Sequence, residues 1–265
     1  MPDFYRKSGI CFLASIVILG VALAAIIPAI QMRQLAEKQW SDLNSRGVLR
    51  IGIDPGFQPF SFYGEQGWDG IDADIGRQIA QGLRLQVQTI PVGYDSLYDA
   101  LHLWQVDIVL SAVSVDPART ADYAYTDAYF DAGIKMVTLQ PTVISSVDQL
   151  AGKRVAVVLG TDADRAVRYW ERRLPNMTRV AANDPADAVA LLNERKVDVA
   201  VMNALEAMAA QAHNAGITAT PLGNQPYVIA LRRDNPILLS RLNQILADMR
   251  RDGTLQSIIS RWSSR

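Results

Sequence analysis

Cysteine is nearly absent from this chain: of 265 residues only Cys11 carries a thiol. An intrachain disulfide and any cysteine-based zinc site are therefore excluded. Histidine is almost as scarce. His102 and His213 lie far apart in sequence, and each reads as a surface or locally satisfied side chain rather than a base or a ligand. No glycine-rich phosphate loop, no nucleophile elbow and no His-Glu-x-x-His motif occurs, so the familiar marks of several enzyme classes are missing. Neither a metal nor a cofactor is expected. An excess of one charge is lacking too: 26 basic and 27 acidic side chains leave a formal net charge of −1. With no basic stripe, nucleic acid is not an expected partner.

What the chain does have begins with one long apolar run. Residues 9–30, "GICFLASIVILGVALAAIIPAI", carry no charge, and about 22 helical residues cross roughly 30 Å of hydrocarbon. Arg6 and Lys7 precede the run, which predicts a cytoplasmic segment over 1–8 and an exported remainder. Two fates fit the run. It is an uncleaved transmembrane anchor, or a signal peptide cut near Ala25 or Ala29. Its length, and the charged stretch that follows directly, favour the anchor in the inner membrane. Cys11 lies ahead of the apolar core, the wrong place for lipid attachment at a cleavage site. Either fate puts the rest of the chain on the periplasmic or extracytoplasmic face.

Residues 31–47 mix charges with Leu35, Trp40 and Leu43 and read as a helical stalk. From Val48 strands and helices alternate, which predicts an α/β fold with parallel sheets covered on both faces. "VLRIGI" is a strand, and Ile71, Ile75, Ile79 and Leu83 form one stripe of an amphipathic helix. "LQVQTIPV" (strand), "DSLYDALHLW" (helix) and "VDIVLSAV" (strand) follow. After Gln140-Pro141 the alternation restarts with "KRVAVVLG", a helix over 162–174, "TRVAA", "PADAVALLNERK", "VDVAVMN" and a helix over 204–214. "YVIALRR" and helices over 236–251 and 254–262 close the chain. There is an internal echo: "LHLWQVDIVLSA" aligns with "LNERKVDVAVMN". Two similar halves would bring Ala112 and Asn203 to face each other at strand ends, where open α/β sheets bind ligands.

The stretch "SAVSVDPAR" sets small hydroxyls, a strand-stopping proline and Arg119 at the end of an apolar strand. Arg119 is either an anion anchor or a surface residue paired with Asp122. Phe57 in "PGFQPFSF" and Tyr94 after Gly93 are aromatics on loops, which line a pocket or pack in the core. "GTDAD" opens a helix, so Gly160 and Thr161 either bind an anion or simply cap. Aromatic faces with hydroxyl, backbone N–H and guanidinium donors suit a small organic acid, since arginine's planar fork matches a carboxylate.

The order of "LRIGIDPGFQPFSF", "WDGIDADIGRQIA", "VDIVLSAVSVDPARTADYAYTDAYF", "GKRVAVVLGT" and "DGTLQSIISRW" resembles the family 3 bacterial solute-binding proteins of polar amino acid ABC transporters. The likeness runs from about Val48 to Trp262. It implies a two-lobed type II periplasmic binding fold with two hinge strands. One lobe would comprise 48–138 with 226–265 and the other 139–225, with hinges near 137–141 and 221–227. By position in the family's motifs, Phe57 and Tyr94 would sandwich the ligand side chain and Asp54 would lie near the pocket floor. Ala112 would offer its N–H, Ser114 its hydroxyl and N–H, and Arg119 a bidentate pair to the α-carboxylate. Thr161 would contact that carboxylate from the second lobe.

Two positions depart from the family pattern. Asn203 stands where many members have an ammonium-binding aspartate, and a neutral amide cannot neutralise a buried cation. Asp162 stands where a second small hydroxyl is usual, and would repel a carboxylate unless it turns away. The ammonium then falls to Asp54 or Glu206, or the ligand is not a standard α-amino acid. The expected partners are this small ligand, the membrane subunits of an ABC permease and the membrane itself. Two other readings stand beside the non-enzymatic one: a dehydratase acting on prephenate or arogenate, with Glu206 or Asp162 as its acid, and a sensory domain needing a separate signalling partner.

Overall fold

The computed structural model describes residues 30–65 and 67–263. The expected cytoplasmic segment, Cys11 and the apolar run except Ile30 lie outside them. Among the described residues no helix is long and apolar enough to cross a membrane.

The alternation in sequence resolves into two mixed sheets, beside a small antiparallel sheet of β2 (Gly56–Phe57), β3 (Ser61–Gly64) and β4 (Gly67–Asp69). In the first, β1 (Val48–Ile53) lies parallel between β5 (Gln86–Pro91) and β6 (Ile108–Ser114). Next to β6, β14 (Pro226–Arg232) runs antiparallel and also pairs β7 (Tyr123–Tyr125) and β8 (Phe130–Asp131). In the second, β10 (Arg154–Val158) lies parallel between β11 (Thr178–Ala182) and β12 (Val199–Met202). There β9 (Lys135–Leu139) is antiparallel to β12 and to β13 (Ile217–Pro221). The expectation of parallel sheets therefore holds for three strands in each and is corrected for the rest. β9 and β14 enter from the other lobe instead of through a strand–helix–strand crossover, so nothing obliges them to run parallel.

The two passages between sheets are short. The first lies at 132–134, between β8 and β9, and the second at 222–225, between β13 and β14. The second falls within the expected hinge over 221–227. The first precedes the expected 137–141, because Val137 sits inside β9, fully buried and paired with Ala200 and Ala219. The segments touch at Gly133, where a Cβ would lie 2.3 Å from the Gly223 carbonyl oxygen. Asp131 gathers both passages, accepting from the N–H of Gly133 (3.0 Å), the N–H of Gln225 (2.8 Å) and Lys135 Nζ (3.2 Å).

Helices cover both faces of each sheet. α2 (Ile71–Leu83) buries Ile71, Ile75, Ile79 and Leu83 against the first sheet, with α7 (Pro236–Arg251) and α8 (Thr254–Ser263) beside it. α3 (Leu97–His102) covers the opposite face. On the second sheet, α5 (Pro185–Asn193) and α6 (Ala204–His213) pack on one side and α4 (Asp162–Glu171) on the other. The helix over 30–46, expected as a stalk, instead docks on the first lobe. Leu43 is buried in that core, Trp40 packs against it, and the Arg241 guanidinium lies 5.5 Å over the Trp40 ring.

The sequence echo has a structural counterpart. Arg50 donates to Asp107 from its backbone N (2.8 Å), Nε (3.3 Å) and Nη2 (2.8 Å). Arg154 donates to Asp198 from the same three atoms at 2.8, 3.3 and 3.0 Å. Each aspartate returns its N–H to its arginine's carbonyl at 2.9 Å. The two lobes thus repeat one helix-to-strand unit, down to the left-handed residues Trp104 and Arg195 that end the helices.

Candidate functional site

At the carboxyl ends of β1 and β6 a cavity of about 310 Å³ opens in the first lobe. Asp54, Phe57, Tyr94, Ser111, Ala112 and Ser114 line it. Five of these six are residues singled out in sequence, and the structure brings them together. Phe57 and Tyr94 are 46% and 56% exposed, a cost in apolar surface left to water unless a ligand covers it. Phe57 stacks on Phe60 at 5.5 Å, which fixes one aromatic wall.

Backbone geometry shapes the floor. The pairing of β6 with β14 puts Val228 opposite Val113 but Ala230 opposite Val109, so β6 carries extra residues between them. This bulge holds Ala112 in the left-handed region, φ 48°; bulges re-aim strands beside functional sites. The hydroxyl of Ser111 accepts from the N–H of Asp54 at 2.9 Å, tying the two strand ends together. Asp54 in turn accepts the N–H of Gly56 through Oδ1 at 3.0 Å.

Gln225 and Tyr227, from the second passage and β14, also line the cavity. Sequence reading missed both, since "GNQPYVIA" shows only a turn before a strand. Ser111 was missed as a lining residue although it belongs to the stretch that drew attention.

The remaining expected residues lie elsewhere. Arg119, just beyond Ser114, is absent from the lining of that cavity. Its Nε donates to Asp116 at 3.0 Å and its guanidinium lies 4.5 Å over the Tyr98 ring. The acid paired with it is therefore Asp116 rather than Asp122, whose N–H bonds the Arg119 carbonyl. The expected N–H of Ala112 is engaged as well, donating to the Tyr129 hydroxyl at 3.2 Å.

In the second lobe, Thr161 caps α4: its hydroxyl accepts from the N–H of Asp164 at 3.2 Å and donates to the Val158 carbonyl at 2.8 Å. The N–H of Gly160 meets Asp164 Oδ2 at 3.0 Å. Asp164 also holds Arg168 and Arg179, and these donors pull its carboxyl down to about 2. The chain's own carboxylate thus occupies part of the positive helix end. Asp162 is exposed and paired with Arg165, turned to its own helix as the departure at this position requires. Asn203 and Glu206 form a capping box on α6, each accepting the other's backbone N–H at 2.9 Å. Both line a second, larger cavity of about 710 Å³, with Pro59 and Trp262 of the first lobe across from them. Ala112 and Asn203 thus line different cavities. Among the described residues no three His, Cys, Asp or Glu side chains gather as metal ligands.

A two-lobed α/β chain with a cavity at the carboxyl ends of β1 and β6 meets its family at this point. Residues 49–265 match the model of the bacterial extracellular solute-binding proteins, family 3. The chain belongs to that family. It is 26% identical to the L-cystine-binding protein TcyJ of Escherichia coli (strain K12) over 252 residues, 92% of this chain and 94% of the relative. Among solved structures, the unliganded open L-cystine solute receptor of Neisseria gonorrhoeae shares its fold, with a TM-score of 0.68 at 18% identity over 85% of this chain and 96% of the other. An ancestral cyclohexadienyl dehydratase shares it too, with a TM-score of 0.67 at 21% identity over 85% of this chain. The type II periplasmic binding fold is thereby established for this family 3 protein, and its named relative is a binding protein rather than an enzyme.

Proposed function

We propose that the protein is the binding component of an ABC importer, exported and held at the membrane by its N-terminal apolar run, and that it carries a small amino acid or related carboxylic acid to a permease. The observation that carries this reading is the cavity of about 310 Å³ in the first lobe. A single carboxylate, Asp54, lies among aromatic and hydroxyl side chains there, an arrangement suited to an ammonium group with an apolar neighbour. Arg119 follows the cavity-lining Ser114 in the chain, and among the described residues its two Nη atoms have no partner. They are free to take a carboxylate through two parallel hydrogen bonds. Thr161 and Asn203 head α4 and α6, whose first-turn N–H groups add donors when the lobes close. The short passages at 132–134 and 222–225 act as the hinge.

Catalysis finds less support. The two acids that a dehydratase would need are engaged elsewhere, Asp162 with Arg165 and Glu206 with the N–H of Asn203. Likeness to the ancestral dehydratase speaks for the fold alone.

A thermal-shift and calorimetric screen of the purified protein against amino acids, hydroxy acids and keto acids tests this function. Saturable binding of an amino acid or a related acid is expected. Product formation from prephenate or arogenate, with no binding of amino acids, would replace transport by catalysis.

A further inference from the structure

Asp72 poses a problem that packing does not solve. It lies in the first turn of α2 between Ile71 and Ala73, fully buried, and no cation pairs with it among the described residues. Its Oδ1 accepts from the Tyr129 hydroxyl at 2.7 Å, and its Oδ2 is buried without a partner. An unpaired buried carboxylate is costly, and an apolar side chain would fill the same place on the helix without that cost.

The surroundings explain the choice. The same Tyr129 oxygen accepts the N–H of Ala112 at 3.2 Å. Ala112 is the left-handed residue of the β6 bulge and lines the first-lobe cavity. Tyr129 is also anchored by its backbone, donating to the carbonyl of cavity-lining Tyr227 at 2.9 Å. A tyrosine hydroxyl has one proton. The Ala112 N–H can only donate, so the Tyr129 oxygen accepts from it and the hydroxyl's one proton is left for Asp72 Oδ1. An acceptor at position 72 therefore takes the tyrosine proton and fixes the hydroxyl's orientation under the Ala112 N–H, which a hydrocarbon could not.

We propose that Asp72 is a positioning residue of the ligand site: acting through the Tyr129 hydroxyl, it holds Ala112 in its left-handed bulge and so fixes the floor of the cavity. The relay stands on geometry alone; its bearing on affinity rests on the binding function proposed above. Burial also holds the Asp72 carboxyl up at about 7, with the Tyr129 hydroxyl and the nearby Ala112 N–H pulling the other way, so the relay gains or loses its charge near neutrality. The ionisable groups facing it are the hydroxyls of Tyr129 and, from β14, Tyr227. Its neighbour Asp74 is taken up by Arg77 and by Arg261 of α8, and Asp69, from the hairpin before α2, lies 3.6 Å from Arg77.

Full-length protein labelled with 15N-alanine reads the relay directly, without any ligand. The Ala112 amide resonance, assigned by its loss in Ala112→Ser, is followed from about pH 5 to 9. In the wild type it is expected to titrate with a midpoint near that of Asp72. In Asp72→Asn, which keeps an acceptor for Tyr129, the titration disappears. In Tyr129→Phe the resonance moves at every pH. With L-cystine, L-histidine and L-glutamine as probes, Tyr129→Phe should weaken any binding about three- to tenfold, and Asp72→Asn by less. An Ala112 amide that does not titrate in the wild type, or is unmoved in Tyr129→Phe, overturns the relay. If none of the probes binds, the function is in question while the amide still decides the relay.

Discussion

Arg119 bonds Asp116 through Nε at 3.0 Å, across the face of Tyr98. Both side chains are partly solvated, 44% and 39% exposed, so the pair itself contributes under about 1 kcal/mol to stability. The pair holds the guanidinium in place, and the proposed carboxylate contact makes its own prediction. Arg119→Ala is expected to leave the thermal midpoint nearly unchanged and to weaken ligand binding by about 2 to 3 kcal/mol. Calorimetry on the best amino acid of the screen checks this; an unchanged affinity would remove Arg119 from the site.

Asp72 predicts a pH-dependent stability. Its carboxyl is raised from 3.8 to about 7 in the folded protein. The folded state therefore keeps a proton that the unfolded chain releases, so stability falls as pH rises from about 4 to 7 and levels off above. A shift of about three units corresponds to roughly 4 kcal/mol. Urea unfolding at pH 5 and pH 8 should give a lower stability at pH 8, with much of the difference gone in Asp72→Asn. Equal slopes in both proteins would refute the assignment.

The repeated arginine–aspartate unit offers an internal comparison. Asp107 and Asp198 accept the same three bonds, Asp107 takes a further one from Arg46, and their side chains are 9% and 36% exposed. Asp107→Ala leaves the half-buried donors of Arg50 and Arg46 unpaired and is expected to cost about 2 kcal/mol. Asp198→Ala, open to water, should cost about 1 kcal/mol or less. Chemical denaturation of the two variants gives the order; a reversed order would mean that burial does not govern the pair.

Asn203 separates helix capping from ligand recognition. Aspartate caps as well as asparagine, so Asn203→Asp should not alter stability measurably. It should tighten binding of amino acids bearing a free α-ammonium and weaken that of keto acids. Titration of an amino acid and its keto acid against both proteins reads this, and parallel changes for the two ligands would place Asn203 outside the site.

Much of the frame was legible because burial imposes periodicity. Ile71, Ile75, Ile79 and Leu83 announce α2, and Pro236 opens α7 as expected. The first passage between the sheets was placed too late in the chain because Gln140-Pro141 breaks the pattern more visibly than 132–134 does, yet β9 runs on to Leu139. Of the site, the loop aromatics and the hydroxyls of β6 were readable from their places at strand ends. Arg119 and Thr161 were recognised by residue type, but type does not say whether Asp116 or Asp164 will take up the groups first. Asp72 was hidden: beside Asp74 in a first turn it looks like an ordinary acid at a helix start, and only the tertiary fold separates the buried one from the one at the surface.

The position of β14 has a bearing on how the chain assembles. The strand sits between β6 and β7 although it follows every other strand in the chain. The five-stranded sheet draws only on a continuous stretch from β9 to β13 and can form as soon as that stretch emerges. The first sheet must wait, its β6 edge unpaired, until nearly the whole polypeptide has been made. Chain order thus lets the half built in one piece close on its own, whereas the cavity, which needs Tyr227, cannot be complete before β14 arrives.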